Sequence, residues 1–245
     1  MTSDRVYRYR ISSKEADSFM LKASQRPVKG LQLDAVYIER ARNLCRNGER
    51  KLLGIAGPPG AGKSTITALL CQALGDMAVG VPMDGFHLSN KELERLGRSN
   101  RKGAPDTFDV AGYQALLRRL KQPIAGEVIY APAFYRNIEE PIAGSIPVFD
   151  HTPLVISEGN YLLLDHGGWE ATRDLFDECW FVMALPKERR GRLVERHMYF
   201  GRTPIEAETW VDQTDEPNAQ LIEKNKNLAD LIIEWKDSLC ISEKV

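Results

Sequence analysis

The chain has 245 residues, a hydrophobic fraction of 43%, and 33 Lys+Arg against 34 Asp+Glu. This composition excludes wholesale disorder, and the length suits one large α/β domain with a sizeable core. The formal net charge of −1 argues against a dedicated nucleic-acid or membrane-surface binder. The composition therefore predicts neither nucleic acid nor a membrane as a partner.

The four cysteines, Cys45, Cys71, Cys179 and Cys240, are widely spaced and form no CxxC pair. Such spacing is typical of reduced, structural thiols and predicts a cytoplasmic protein. The polar start of the chain lacks the apolar segment of a signal peptide. A run of about 18 apolar residues, which a membrane span needs, is also absent from the sequence.

The first elements of the chain follow from its apolar periodicity. Helical spacing in residues 36–45 predicts that residues 1–50 form a helical N-terminal extension packed on the core. The apolar run 51–57 is typical of a buried strand, and after a Gly/Pro loop residues 63–74 have the pattern of a helix. Residues 78–83 predict a second short strand.

The rest of the chain alternates between helical and strand patterns. Amphipathic helices are predicted at 91–97, 110–121, 187–200 and 204–213. Residues 123–150, which contain several prolines between short extended pieces, predict a hairpin-like excursion from the sheet. Further strands are predicted at 154–159, 179–185 and 231–233. This alternation indicates a mainly parallel sheet covered by helices on both faces, which is a three-layer α/β sandwich.

A glycine-rich loop stands between the first predicted strand and helix. Its residues, Gly57, Pro58, Pro59, Gly60, Ala61, Gly62, Lys63 and Ser64, fit the P-loop (Walker A) pattern GxxxxGK[ST], and Thr65 follows them. Small residues let successive backbone N–H groups point at one anion, and the helix adds its positive end. Lys63 would neutralise the β- and γ-phosphates of a nucleotide, and the hydroxyl of Ser64 would ligate Mg²⁺. The alternative is a tight strand–helix turn that happens to contain lysine.

Two acids follow predicted strands at the same edge of the sheet. Glu158 ends the strand 154–159, where it would hold Mg²⁺ through water. Asp84 ends the second predicted strand, where it would accept the proton of an incoming hydroxyl. A turn or helix-terminus carboxylate is the alternative for Glu158, and an Asp-Gly turn is the alternative for Asp84.

Basic residues cluster on one predicted helix, where Arg189, Arg192 and Arg196 share a face. Because like charges on one face repel, we expect an anion there, and a phosphoryl group in transfer is a good candidate. The alternative is a solvated face whose arginines pair with Glu188 and Glu195.

These residues, in this order, resemble the P-loop metabolite kinases that include uridine kinase, phosphoribulokinase and bacterial pantothenate kinase. The resemblance covers roughly residues 50–235. The run RKGAPDTFD at 101–109 is similar to the pantothenate kinase version, and the run at 128–136 is similar to the family's substrate-side hairpin. The resemblance implies one P-loop kinase domain over 51–245, with the P-loop NTPase fold and a helical lid at about 187–203.

The resemblance also implies roles for individual residues. Asp84 would be the catalytic base, Glu158 the acid associated with magnesium, and Arg196 the lid arginine that stabilises the phosphoryl group. Arg192 would reach ATP, beside the phosphate-binding Lys63. ATP and Mg²⁺ are the implied cofactors.

A second implied set lies on the substrate side of the site. Its members are His87, Arg101, Asp106, Tyr135, Asn160 and Tyr161. For Tyr135 the alternative is packing within the hairpin, and for His87 it is a helix cap or a satisfied polar group.

Three positions depart from the family pattern. Ala131 and Pro132 stand where pantothenate kinases carry a Ser-His pair, and Arg136 stands where the family usually has Asp. In these respects the chain looks most similar to a branch labelled nucleoside/nucleotide kinase-like or fructokinase-like. An acidic or phosphorylated substrate would explain Arg101 and Arg136, whereas a neutral sugar or nucleoside would leave them as ion-pair partners of Asp106 or Glu139.

The leading hypothesis is an ATP-dependent transfer of the γ-phosphoryl group to a hydroxyl of a small polar metabolite, such as a sugar, a nucleoside or a pantothenate-like compound. The alternative is a P-loop nucleotide hydrolase that acts as a switch or loads a partner, although residues 225–228 lack the aspartate of a guanine-selecting NKxD run. A non-catalytic nucleotide sensor is disfavoured by the presence of Lys63, Asp84 and Glu158 together. Relatives often form homodimers, and no feature of the sequence decides the oligomeric state.

Overall fold

The computed structural model describes residues 31–235. The strands in this range are β1 (Lys51–Ala56), β2 (Ala78–Gly80), β3 (Val128–Tyr135), β4 (Glu140–Phe149), β5 (Leu154–Gly159), β6 (Glu178–Met183) and β7 (Leu231–Glu234). The α-helices are α1 (Ala35–Leu44), α2 (Lys63–Leu74), α3 (Asn90–Arg95), α4 (Val110–Lys121), α5 (Pro186–Tyr199), α6 (Pro204–Trp210) and α7 (Glu216–Glu223). None of these helices is both long and apolar enough to cross a bilayer.

Five of the strands form one parallel sheet, in the order β2-β5-β1-β6-β7. β1 is central, so Ile55 pairs with Glu158 on one side and with Trp180 on the other. Helices cover both faces, and the central strands are therefore buried almost throughout. The predicted α/β sandwich with a mainly parallel sheet is confirmed.

Alternate side chains of β1 enter two separate cores. Leu52 packs on one face with Tyr113 of α4, whereas Leu53 and Ile55 pack on the other face with Ile66 of α2. The division follows from the geometry of a strand, in which successive side chains point to opposite faces. Each face of the sheet thus carries its own apolar layer.

Helix α1 packs on the second of these layers. Its N-cap Asp34 accepts a hydrogen bond from the Val36 backbone N–H, and its buried Tyr37 lies 6.3 Å from the ring of Trp180. This part of the predicted N-terminal extension therefore contacts the core. Residues 1–30 lie outside the described range, and the division into an extension (1–50) and one domain (51–245) stays a prediction.

The proline-rich segment forms the expected hairpin. β3 and β4 pair antiparallel, with a register shift between Ala131 and Ala133. Pro132, which stands at the shift, has no N–H to donate to a ladder, and a bulge accommodates it. The hairpin lies outside the parallel sheet and contacts the turn that follows β2.

Several predicted elements differ from the structure by one to a few residues, and two of the differences have a clear cause. The second strand ends at Gly80 rather than at residue 83, because Pro82 cannot extend the ladder and Met83–Phe86 form a 3-10 turn. The helix predicted at 204–213 ends at Trp210 and continues as a π-helical turn, Val211–Asp215, into α7. Pro217, in the first turn of α7, has no N–H to donate, and the sequence pattern did not predict α7.

Candidate active site

The glycine-rich loop has the conformation of an anion cradle. It leaves β1 at Ala56, and Gly57, Gly60 and Gly62 all have positive φ (150°, 76° and 105°). A side chain on Gly57 would lie 2.5 Å from the carbonyl oxygen of Val182, so the loop needs glycine there. Gly62 caps α2 without a side-chain hydrogen bond, which leaves the first N–H groups of the helix for an anion.

Lys63 lies beneath this loop as a buried cation. Its Nζ donates to the carbonyl oxygens of Gly57 (2.8 Å) and Pro58 (3.0 Å) and to Oδ1 of Asn160 (2.7 Å). Burial lowers the pKa of Lys63 to about 8, although the nearby carboxylates of Glu158 and Asp84 oppose that effect. The lysine is thus held by neutral partners, and an incoming phosphate would raise its affinity for protons.

Ser64 and Glu158 present a pair of oxygens beside the loop. The hydroxyl of Ser64 donates to Oε1 of Glu158 at 2.8 Å. Burial raises the pKa of Glu158, and the neighbouring Asp84 raises it further, against the opposing effects of Lys63 and Ser64. Residues 31–235 contain no cluster of three or more His, Cys, Asp or Glu with metal-binding geometry. One hydroxyl and one carboxylate nevertheless fit Mg²⁺, which keeps most of its ligands as water and phosphate oxygens.

Asp84 lies in the 3-10 turn after β2 and remains partly open to solvent. Its Oδ2 accepts a hydrogen bond from Nη2 of Arg136 at 2.9 Å. Burial alone would raise the pKa of Asp84, but His87, Arg136 and the more distant Lys63 and Arg196 outweigh it and hold the pKa below its usual value. Asp84 is therefore ionised at neutral pH.

His87 supports the turn that carries Asp84. Its ring lies between Phe108 and Phe134, with centroids 4.0 Å and 4.6 Å away. Nδ1 lies 2.8 Å from the carbonyl oxygen of Asp84, which can only accept, so Nδ1 carries the proton. Burial lowers the pKa of His87 despite the nearby Asp84. The alternative of a satisfied polar group therefore describes its contacts in this structure.

The structure separates the three arginines of helix α5, the predicted lid. Arg189, with its side chain only 2% exposed, pairs with Glu216 (2.9 Å) and donates to the carbonyl oxygen of Pro59 (3.0 Å). Arg192 donates to the carbonyl oxygen of Gly60 (3.0 Å). The expectation that one anion offsets all three charges is therefore corrected, because a carboxylate from α7 already neutralises Arg189. The arginines at 189 and 192 brace the phosphate-binding loop from outside.

Arg196 is the third of these arginines and was predicted to bind the phosphoryl group. It forms no ion pair among the residues that the structure describes. Burial and the nearby Arg136 lower its pKa to about 10, and Asp215 and Asp84 oppose this. It is thus close enough to Asp84 for their charges to interact, and it retains unused donors.

The predicted substrate-side residues divide into distinct groups. Arg101 and Asp106 form an exposed ion pair at 2.8 Å, as the neutral-substrate alternative expects for Arg101. Tyr161 is fully buried and its hydroxyl donates to the carbonyl oxygen of Gly103, so its predicted place on the rim is corrected: the phenol packs in the core. Tyr135 is half-buried at the end of β3.

Two contacts of the site were missed from sequence. Asn160 was predicted on the substrate side, but its side chain accepts from Lys63 and so positions the P-loop lysine. Arg136 was recognised only as a departure from the family pattern, yet it pairs with the predicted base Asp84. Its position at the end of the hairpin strand was the available signal, and the 52 residues between the partners concealed the pair.

The chain is similar to several known proteins. No protein-family model matches the chain. A Schizosaccharomyces pombe protein, provisionally named as a uridine kinase, is 34% identical over 212 residues, covering 82% of this chain and 89% of that protein. The Escherichia coli protein YggC, described as uncharacterised, is 36% identical over 193 residues, covering 77% and 79%. A solved structure from Silicibacter sp. TM1040, provisionally described as a fructose transport system kinase, is 33% identical with a TM-score of 0.68, covering 92% of this chain and 100% of that one.

Proposed function

This chain belongs to the P-loop kinases of the phosphoribulokinase/uridine kinase family, and from that premise we propose that it transfers the γ-phosphoryl group of ATP to a hydroxyl of a small polar metabolite. The observation that carries the proposal is the convergence of Lys63, the Ser64–Glu158 pair and the ionised Asp84 at one edge of the sheet. A non-catalytic nucleotide sensor has no need of the last of these groups.

The nucleotide side of the site is built from backbone and one lysine. The uncapped N–H groups at the start of α2 and the ammonium of Lys63 bind the phosphates. Ser64 and Glu158 would hold Mg²⁺, directly or through water, and the ion would supply positive charge to the phosphates. Arg196 would stabilise the charge of the transferring group from the lid side.

The acceptor side depends on Asp84. Its carboxylate orients the acceptor hydroxyl and takes the proton while the hydroxyl oxygen bonds to the γ-phosphorus. The bond between that phosphorus and the β–γ bridging oxygen breaks, and ADP leaves. His87 holds the turn through the Asp84 carbonyl oxygen, which keeps the carboxylate directed at the acceptor.

A coupled ADP-release screen against sugars, nucleosides, pantothenate and glycerate tests the proposal. With the best acceptor, we expect Asp84→Asn to lower kcat by about 10²–10⁴-fold, the usual contribution of a positioned base, while ATP affinity stays near that of the wild type. Asp76→Asn, the same change at an exposed turn remote from the P-loop, is the matched control.

Two results would contradict the kinase proposal. One is ADP release that no acceptor raises above the rate with water, which would favour the nucleotide-hydrolase alternative. The other is full acceptor turnover by the Asp84→Asn variant, since a different group would then have to receive the proton.

A further inference from the structure

Arg136 is paired with Asp84, the residue that we propose takes the proton of the acceptor hydroxyl. Nη2 of Arg136 is 2.9 Å from Oδ2 of Asp84, and their side chains are 28% and 25% exposed. Both groups are thus partly desolvated and partly accessible to the same ligand. The guanidinium can offer a fork of several donors, of which the contact with Asp84 uses one N–H.

The hairpin turn that carries Arg136 is fixed to Asn90 and Lys102. The backbone carbonyl of Glu139, a non-glycine residue with φ of 52°, accepts from Lys102 and from Nδ2 of Asn90 (3.2 Å). Oε1 of Glu140 accepts from the backbone N–H of Asn90 at 3.0 Å. A strained turn that several partners hold in place is typical of functional sites. Arg136 is therefore a placed side chain rather than a free surface arginine.

This placement conflicts with the chemistry expected of Asp84 when no ligand is present. A guanidinium in contact stabilises the ionised carboxylate and so weakens it as a base. If Asp84 took a proton while the contact persisted, Arg136 would face a neutral carboxyl group. An anion on the acceptor would remove this difficulty.

We propose that the acceptor carries an oxyanion group, a carboxylate or a phosphate ester, and that Arg136 binds this group in place of Asp84. Asp84 is then released to take the hydroxyl proton as the hydroxyl oxygen attacks the γ-phosphorus and ADP departs. The inference rests on the proposed function. Because one guanidinium serves both partners in turn, the anionic group and the reacting hydroxyl must lie close together in a compact molecule.

Matched acceptors that differ only in the anionic group provide the test. The pairs are glycerate and glycerol, glycerol 3-phosphate and glycerol, and fructose 6-phosphate and fructose. For the pair that is turned over, we expect kcat/KM to favour the charged member by at least about tenfold, as charged hydrogen bonds do. Arg136→Gln should remove most of that preference, and Arg95→Gln, at an exposed arginine of α3, should keep it.

The failures of the inference and of the proposed function are distinguishable. Equal use of charged and neutral members, or a preference that survives in Arg136→Gln, would overturn the inference and leave the kinase function standing. The carboxylate and phosphate pairs show which oxyanion is recognised.

If no acceptor is turned over, the proposed function fails and a binding measurement decides the inference. Melting is then followed with Mg²⁺ and AMP-PNP present to fill the P-loop, and with malonate or inorganic phosphate as the probe. A rise in Tm for the wild type that Arg136→Gln loses supports the oxyanion site. No rise, or an equal rise in both proteins, overturns it.

Discussion

The low pKa of Lys63 predicts that nucleotide binding takes up a proton. Burial brings this pKa from 10.5 to about 8, which corresponds to about 3 kcal/mol that disfavours the charged form. Phosphate oxygens placed beside the ammonium favour the charged form and raise the pKa again. Free protein at pH 8 is therefore about half deprotonated at Lys63, and Mg²⁺·ATP should bind with uptake of about half a proton.

The same reasoning gives the pH dependence of affinity. At pH 9 about nine-tenths of the free protein has a neutral Lys63, so uptake should approach 0.9 proton. If the nucleotide binds only the charged form, its affinity falls about tenfold between pH 7 and pH 9. The affinity falls rather than rises with pH because binding needs the positive charge of Lys63, and this charge is lost as the pH rises through the pKa of Lys63 in the free protein.

Isothermal titration calorimetry with AMP-PNP and Mg²⁺ measures this uptake. Titrations at pH 8 and pH 9 in Bicine and in Tris, which differ in ionisation enthalpy, give the number of protons from the difference in binding enthalpy. Lys63→Arg is the matched control, because a guanidinium stays charged over this range and should abolish both the uptake and the pH dependence. Binding enthalpies that do not depend on the buffer would refute the assignment of a depressed pKa to this lysine.

Three further perturbations test other contacts. Arg136→Gln removes a cation that holds the pKa of Asp84 low. The acidic limb of the kcat/KM–pH profile for a neutral acceptor should therefore move to higher pH. An unmoved limb would mean that the ion pair is absent in the working enzyme. Ser157→Ala leaves two buried hydrogen-bonding groups without a partner and should lower the free energy of unfolding by about 1–3 kcal/mol in urea denaturation, with Ser157→Thr as the control that keeps the hydroxyl. Arg189→Met leaves Glu216 unpaired and should lower the free energy of unfolding by about 1–3 kcal/mol, which is less than for a fully buried pair because Glu216 is partly exposed. The same variant should bind AMP-PNP more weakly, because Arg189 also donates to the carbonyl oxygen of Pro59 in the loop. Unchanged AMP-PNP binding would argue that Arg189 does not brace the loop.

Local patterns were enough to predict most of the fold. The helix over residues 63–74 and the helix over residues 110–121 have the predicted bounds, and the predicted strands occur within a few residues of their expected ends. Apolar periodicity is a property of neighbouring residues, and it reports which face of each element is buried. The predictions failed near two prolines. Pro82 ended β2 earlier than the apolar pattern predicted, and the turn before Pro217 concealed α7.

The phosphate-binding loop could also be recognised from sequence alone, since the glycines, Lys63 and Ser64 are contiguous and their chemistry depends on local spacing. Contacts between distant segments could not. Asn160 reaches Lys63 across 97 residues, and Arg189 pairs with Glu216 across 27. Charge and residue type named these side chains as candidates without naming their partners, because long-range pairing depends on how strands and helices pack. The fold alone placed Arg136 against Asp84, and our proposal of an anionic acceptor rests on that contact, whereas the sequence left anionic and neutral acceptors both open.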